Sequence, residues 1–260
     1  MKLAPVYWNK GWLRWRDVAS QPYAPEGKAL YSYADAEVSL DHDETGPTFG
    51  GTLAATGLKP NFAYQVKLNG KPTALGPGND WANEQLGRAG RWWARQIRRS
   101  DRAIVKEWRS NDAEFDRWKA LAFTDGEHDY VFQGYLLLDL LIADAAGAAR
   151  KRLRLDSSFH VLWKTSQRQP APNDSQPVAY TVMARAASGW YAQDTADREV
   201  ALYAEWEPGR ARPGECILPA GTYGVELALT EESFHEREPD SGAWATVLVS
   251  ELIGFTVTRA

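Results

Sequence analysis

The chain has 260 residues, 44% of them hydrophobic and 25% charged, which is the balance of a folded globular protein rather than of a disordered one. Its formal net charge of −4 at pH 7 offers no general attraction to phosphate backbones or anionic lipid, so nucleic acid is not an expected partner. The single cysteine, Cys216, excludes an intramolecular disulfide and a thiolate metal cluster, and the longest apolar run, 135–143, is broken by Asp139 and too short to cross a bilayer.

Residues 1–28 read as a lead-in arm that ends in a turn cluster at 21–27. The arm carries Trp8, Trp12 and Trp15 among basic residues and has no apolar stretch before small residues, so no signal peptide is legible. Two locations stay open: the cytoplasm, or the cell envelope or exterior for a chain whose leader has been removed. Strands are predicted at 29–40, 48–55 and 62–68, each bounded by Gly, Pro, Asn or Asp. The spacing then changes and predicts a helical insertion over 79–122. Asp80 is placed to cap a first helix in which Leu86, Ala89, Trp93 and Ile97 form an apolar stripe, with Arg88, Arg91, Arg95 and Arg98 as a cationic ridge. A second helix is predicted at 112–122, with Phe115, Trp118 and Leu121 facing inward. Strand character resumes at 130–143, 150–155, 159–164, 178–185, 200–207, 222–230 and 244–258.

Two segments share a pattern. Leu58-Lys59-Pro60-Asn61-Phe62-Ala63-Tyr64 leads into Val66 and Leu68, and Leu218-Pro219-Ala220-Gly221-Thr222-Tyr223 leads into Val225 and Leu227. Each Pro-containing turn delivers a Tyr into a strand whose Tyr, Val and Leu stand two residues apart and line one face. The pattern resembles the tyrosine corner of fibronectin type III and other immunoglobulin-like domains, whose tyrosine hydroxyl bonds back to the turn backbone. The resemblance is local. With the alternation elsewhere, it gives an all-β fold class: an antiparallel β-sandwich, immunoglobulin-like or jelly-roll, with a two-helix insertion. One elaborated sandwich over 29–260 is the expected organisation, and two sandwiches over 29–144 and 150–260 the alternative.

The residues that could carry chemistry are few. Three of the four histidines, His42, His128 and His235, stand in acid-rich turns, and imidazole with carboxylate suits a divalent metal. No metal-binding spacing accompanies them, so solvated turns are the plainer reading and no cofactor is predicted. His160, in a strand-like run, and Asp139, between leucines, are the candidate acid–base groups. Gly-x-Ser-x-Gly and phosphate-cradling glycine loops are absent.

Twelve tryptophans are many for this length, and five lie within 79–122. Flat indole faces beside hydrogen-bonding groups suit sugar rings and protein partners. Because Trp93 occupies the apolar stripe of the predicted helix, its neighbour Trp92 is expected to face away and, with Arg95, Gln133 and Tyr135, to bind a ligand. The leading expectation is a non-catalytic protein that recognises a carbohydrate or protein partner through a Trp-rich surface. The rival is an enzyme with a pocket between sheet and insertion, using Asp139 and His160 on an anionic or sugar-like substrate, metal-dependent or not. Oligomeric state is not legible in the sequence.

Overall fold

A computed structural model describes residues 1–6, 17–19, 21, 23, 31–75, 80–158, 160–163, 176–182, 191, 197–205, 213–231 and 245–258, with backbone alone for 160–163, 176–182, 198 and 201–205. Among the described residues the fold is mostly β, with antiparallel sheets and two short helices. The strands that organise it are β1 (Leu3–Pro5), β2 (Glu37–His42), β3 (Thr45–Gly46), β4 (Gly50–Thr56), β5 (Ala63–Gly70), β6 (Thr73–Ala74), β7 (Arg91–Arg98), β8 (Ile104–Ser110), β9 (His128–Ile142) and β10 (Ala149–Arg154). After them come β11 (His160–Trp163), β12 (Gln176–Val182), β13 (Arg198–Glu205), β14 (Gly221–Glu231), β15 (Ala245–Ser250) and β16 (Ile253–Val257). The main sheet runs β1-β15-β14-β5-β9-β7-β8, with β16 beside β14, β3 beside β16 and β6 beside β9. A three-stranded sheet, β10-β4-β2, packs on it, and β11, β13 and β12 form another.

Alternation explains the sandwich. Tyr64, Val66 and Leu68 of β5 and Tyr223, Val225 and Leu227 of β14 point into the same core as Leu40, Leu53 and Leu153 of the smaller sheet. The two Pro–Tyr segments are antiparallel neighbours in one sheet, with Leu227 opposite Leu68. Both tyrosine hydroxyls return to their own turns: Tyr223 Oη donates to the Pro219 carbonyl at 2.7 Å, and Tyr64 Oη accepts from the Lys59 amide at 2.9 Å. The first turn, 58–61, is buried, so its backbone polar groups would otherwise be costly to desolvate, whereas Pro219 and Ala220 of the second are exposed.

The insertion differs from the sequence expectation. Helix α1 (Trp81–Ala89) starts where expected, with the Asp80 carboxylate accepting from the Asn83 amide, and α2 (Asp112–Leu121) carries an Asn111–Glu114 capping box. However, α1 stops at Gly90, and 91–98 is a strand that forms a hairpin with β8. The Arg ridge is therefore not a helix face. Arg91, Trp93, Arg95 and Ile97 alternate with Trp92, Ala94 and Gln96, and this two-residue period suits aromatic residues with a strong preference for sheet. Trp92, Ala94, Phe115, Tyr130 and Phe132 make a second, aromatic core beneath α2, with the Trp92 and Phe115 rings stacked at 3.9 Å. Trp92 is thus wholly buried, contrary to the expectation of a ligand-facing ring. Leu121, expected inward, is 40% exposed. Two smaller differences concern ends: residues 31–36 precede β2 as a turn-containing segment, and the run at 244–258 is divided between β15 and β16.

Strand β9 ties the two cores together. Its first half pairs with β7 and its second half with β5. Tyr130 and Phe132 enter the aromatic core, while Leu136 and Leu138 enter the main one. Between them Gly134 lies directly under α1, where a Cβ would fall on the Asn83 carbonyl and the Gly87 nitrogen. The buried Asn83 side chain fastens the helix there, accepting from the Gly134 amide at 2.7 Å and donating to the Phe132 carbonyl at 3.0 Å.

Two outcomes follow. Gly134→Ala forces α1 away from the sheet and lowers unfolding free energy by about 3 kcal/mol in urea titration, the scale of a severe overpacking change. Burial pushes the Tyr223 and Tyr130 phenols up to about 12, the latter helped by the Asp125 carboxylate. A folded-state pKa above the unfolded value of about 10 means stability held below pH 10 and lost as pH rises toward 12. Denaturant midpoints measured from pH 8 upward should therefore stay level until about pH 10 and then fall together with the appearance of tyrosinate absorbance.

Candidate functional site

The main sheet has a second face. On β5 the positions between the core residues are Gln65, Lys67 and Asn69; on β9 they are Gln133, Tyr135 and Leu137. On β7 they are Arg91, Trp93 and Arg95. Pairing aligns these rows: Asn69 stands opposite Tyr135, Trp93 opposite Gln133, and Arg95 opposite Glu107 of β8. Together with Ala245 and Thr246, the residues Lys67, Asn69, Trp93, Arg95, Glu107, Gln133 and Tyr135 line an open cleft of about 290 Å³ on this face.

The cleft's side chains are held in place by one another. Glu107 Oε1 accepts from Trp93 Nε1 and from Arg95 Nε, both at 2.6 Å, which fixes the indole edge and one side of the guanidinium. Partial burial pushes the Glu107 carboxyl up, but the hydrogen bonds from Arg95 and Trp93 outweigh it and hold the group below the usual range, so it is an anion near neutral pH. With Nε engaged, the two terminal nitrogens of Arg95 make no hydrogen bond to described residues and remain as a donor fork at a side chain 41% exposed. Gln133 Nε2 donates to the Gly70 carbonyl at 2.9 Å, which orients its amide along the cleft wall. The Lys67 ammonium lies 5.7 Å from the centre of the Tyr135 ring, in reach of a cation–π contact, at a residue only 8% exposed. Beyond Asn69, on β14, Glu226 extends the same row; burial pushes its carboxyl above the usual range.

Three of the four ligand-binding residues expected from the sequence, Arg95, Gln133 and Tyr135, meet in this cleft. The fourth, Trp92, is replaced there by its neighbour Trp93, because the segment is a strand and consecutive side chains take opposite faces. Lys67, Asn69 and Glu107 were missed. The signal for the first two was the polar alternation inside the Tyr64–Val66–Leu68 strand; Glu107 could be found only once β8 was known to pair with β7.

Asp139, His42 and His128 do not join the cleft. Asp139 sits where the β5–β9 register shifts, and its carboxylate is paired with Lys151 Nζ at 2.7 Å. The side chain of His160 and all of His235 lie outside the described residues. His42 Nε2 contacts the Gly254 carbonyl at 3.2 Å, and its ring stacks on Phe49. His128 Nδ1 lies 3.2 Å from Asp125 Oδ2, in a turn where Asp125 also accepts from Tyr130 Oη and from the amides of Glu127 and His128. That carboxylate organises a turn. Among the described residues no group of three His, Cys, Asp or Glu side chains could hold a metal ion. No described helix is long and apolar enough to cross a membrane.

No family model, curated protein or solved structure matches this chain. Its site must therefore be read from its own geometry.

Replacing Glu107 by Ala leaves the fold intact, with a loss of no more than about 1 kcal/mol because the pair is solvent-exposed. It also releases Trp93 and Arg95, which is expected to appear as a changed indole near-ultraviolet dichroism at an almost unchanged denaturation midpoint.

Proposed function

We propose that the protein is a non-catalytic binding protein that recognises a carbohydrate in this cleft. The observation that carries the reading is the Trp93–Arg95–Glu107 cluster: an indole pinned at its edge by a carboxylate, beside a half-exposed guanidinium whose terminal nitrogens make no hydrogen bond to described residues. Sugars present apolar C–H faces edged with hydroxyls, and an aromatic ring next to fixed donors and acceptors matches both features. Asn69, Gln133 and Tyr135 supply further hydrogen-bonding groups, and the volume is near the lower end of small-molecule sites, about 300 Å³, which suits a short saccharide better than a protein segment.

The charge of the cleft narrows the ligand. The charged side chains that line the cleft itself are Lys67, Arg95 and one carboxylate, Glu107, two cations to one anion in a chain of net charge −4, with Glu226 farther along the row on β14. A saccharide bearing a carboxylate, such as a uronate, meets the Arg95 fork through charge-assisted hydrogen bonds.

Tryptophan fluorescence titration tests the reading with neutral and uronate-containing oligosaccharides. Saturable quenching is expected with the acidic set. Trp93→Ala should weaken binding at least tenfold, about 1.4 kcal/mol, and Arg95→Ala should remove the preference for acidic over neutral sugars. If neither set perturbs the wild-type signal or shows heat on calorimetric titration, carbohydrate recognition in this cleft is wrong.

A further inference from the structure

Away from the cleft, beneath the first Pro–Tyr turn, the main core encloses charged side chains. Lys59 and Glu231 are both completely buried, and Lys59 Nζ lies 2.7 Å from Glu231 Oε1. The ammonium is boxed by rings, 4.8 Å from the centre of Phe62 and 5.9 Å from that of Tyr31. Tyr33 Oη donates to the same Glu231 Oε1 at 2.5 Å, and Tyr33 is in turn 3.0 Å from Tyr64 Oη. Oxygen Oε2 of Glu231 is buried and has no hydrogen-bond partner among the described residues. Burial pushes the Tyr33 phenol well above its usual range, and the Glu231 charge adds to that, so it remains a proton donor.

Water-free surroundings make an ion pair of this kind costly, since the desolvation of two charges offsets their attraction. Passing one proton from the ammonium to the carboxylate removes both buried charges and gives amine and carboxylic acid, the forms that react with each other. The two oxygens are already differentiated: one is polarised by a phenol, and the other has no hydrogen-bond partner among the described residues.

We propose that Lys59 and Glu231 condense within the folded protein to an isopeptide bond. A proton passes from the Lys59 ammonium to the carboxylate, and the freed amine attacks Cδ. The Nζ–Cδ bond forms, the Cδ–Oε2 bond breaks, and Oε2 leaves as water carrying two of the three ammonium protons. Oε1 becomes the amide oxygen and keeps its hydrogen bond from Tyr33, which steadies negative charge on that oxygen during the attack. Charge and atoms balance with no other reactant. The product replaces two buried charges by one neutral amide and ties the turn before β5 to the end of β14. Proximity supplies the drive for a reaction that is slow between free side chains.

Mass spectrometry of the purified, folded full-length chain under denaturing conditions decides it. The expected result is an intact mass lower by one water than the sequence requires, and, after proteolysis, a branched peptide joining the segment around Lys59 to the segment around Glu231. Tyr33→Phe keeps both reacting groups and should leave a fraction of the chain at full mass; Lys59→Met should show no loss of water. A folded wild-type chain at full mass, with the two segments recovered as separate peptides, overturns the proposal and leaves an ordinary buried ion pair. That result needs no variant to fold. A Tyr33→Phe chain that condenses as completely and as fast as the wild type removes the role given to Tyr33.

Discussion

The structure depends on one long strand having to serve two cores. Backbone hydrogen bonds leave β9 no choice of neighbours: β7 takes its first half and β5 its second. The side chains on its covered face therefore belong to an aromatic core at one end and an aliphatic core at the other. The junction is Gly134, where α1 comes so close that no side chain fits, and where the Asn83 amide makes the bonds that a wider gap would leave to water. This contact sets the height of the helix over the sheet. It also leaves the opposite face of β5, β9 and β7 flat and polar, with the cleft upon it.

The cleft and the Lys59–Glu231 pair illustrate two ways in which charge is handled. On the open face, Glu107 is stabilised by two donors, and Arg95 keeps its two terminal nitrogens beyond the one it gives to Glu107. Solvent screens such a pair, so its contribution is to orient Trp93 and Arg95 more than to stabilise the fold. In the core, screening is absent and every unmatched lone pair counts, which makes Oε2 of Glu231, without a hydrogen-bond partner among the described residues, a feature that demands an account. Binding and covalent closure are independent readings of these two places.

Several features were legible in the sequence because they are local. The Pro–Tyr segments announced strands whose tyrosine hydroxyls reach back to the turn, and Tyr223 and Tyr64 both do so. Asp80 and the second helix were legible from capping chemistry and spacing. The strand at 91–98 was not, because Trp93 and Ile97 satisfy a four-residue step as well as a two-residue one, and a short segment with apolar residues on both faces fits either period. Gly90 at the end of α1 and the pairing of Trp92 with Ser110 broke the tie. One consequence was an inversion: the tryptophan expected to meet ligand is buried, and the one expected in the core stands at the cleft.

By itself the sequence determined the class of fold, the turns, the helix starts and the polar rows of β5 and β9, since alternation, capping and proline geometry act over a few residues. Only the tertiary structure decided which rows lie side by side. Lys67, Gln133, Trp93 and Glu107 belong to four strands, and they form one cleft because sheet order and register place them there. The same holds for Lys59 and Glu231, which are far apart in the chain and touch because antiparallel pairing sets Glu231 opposite Tyr64, at the foot of the turn that carries Lys59. Such contacts between distant segments are fixed by pairing and packing across the whole sheet, and no local pattern encodes them.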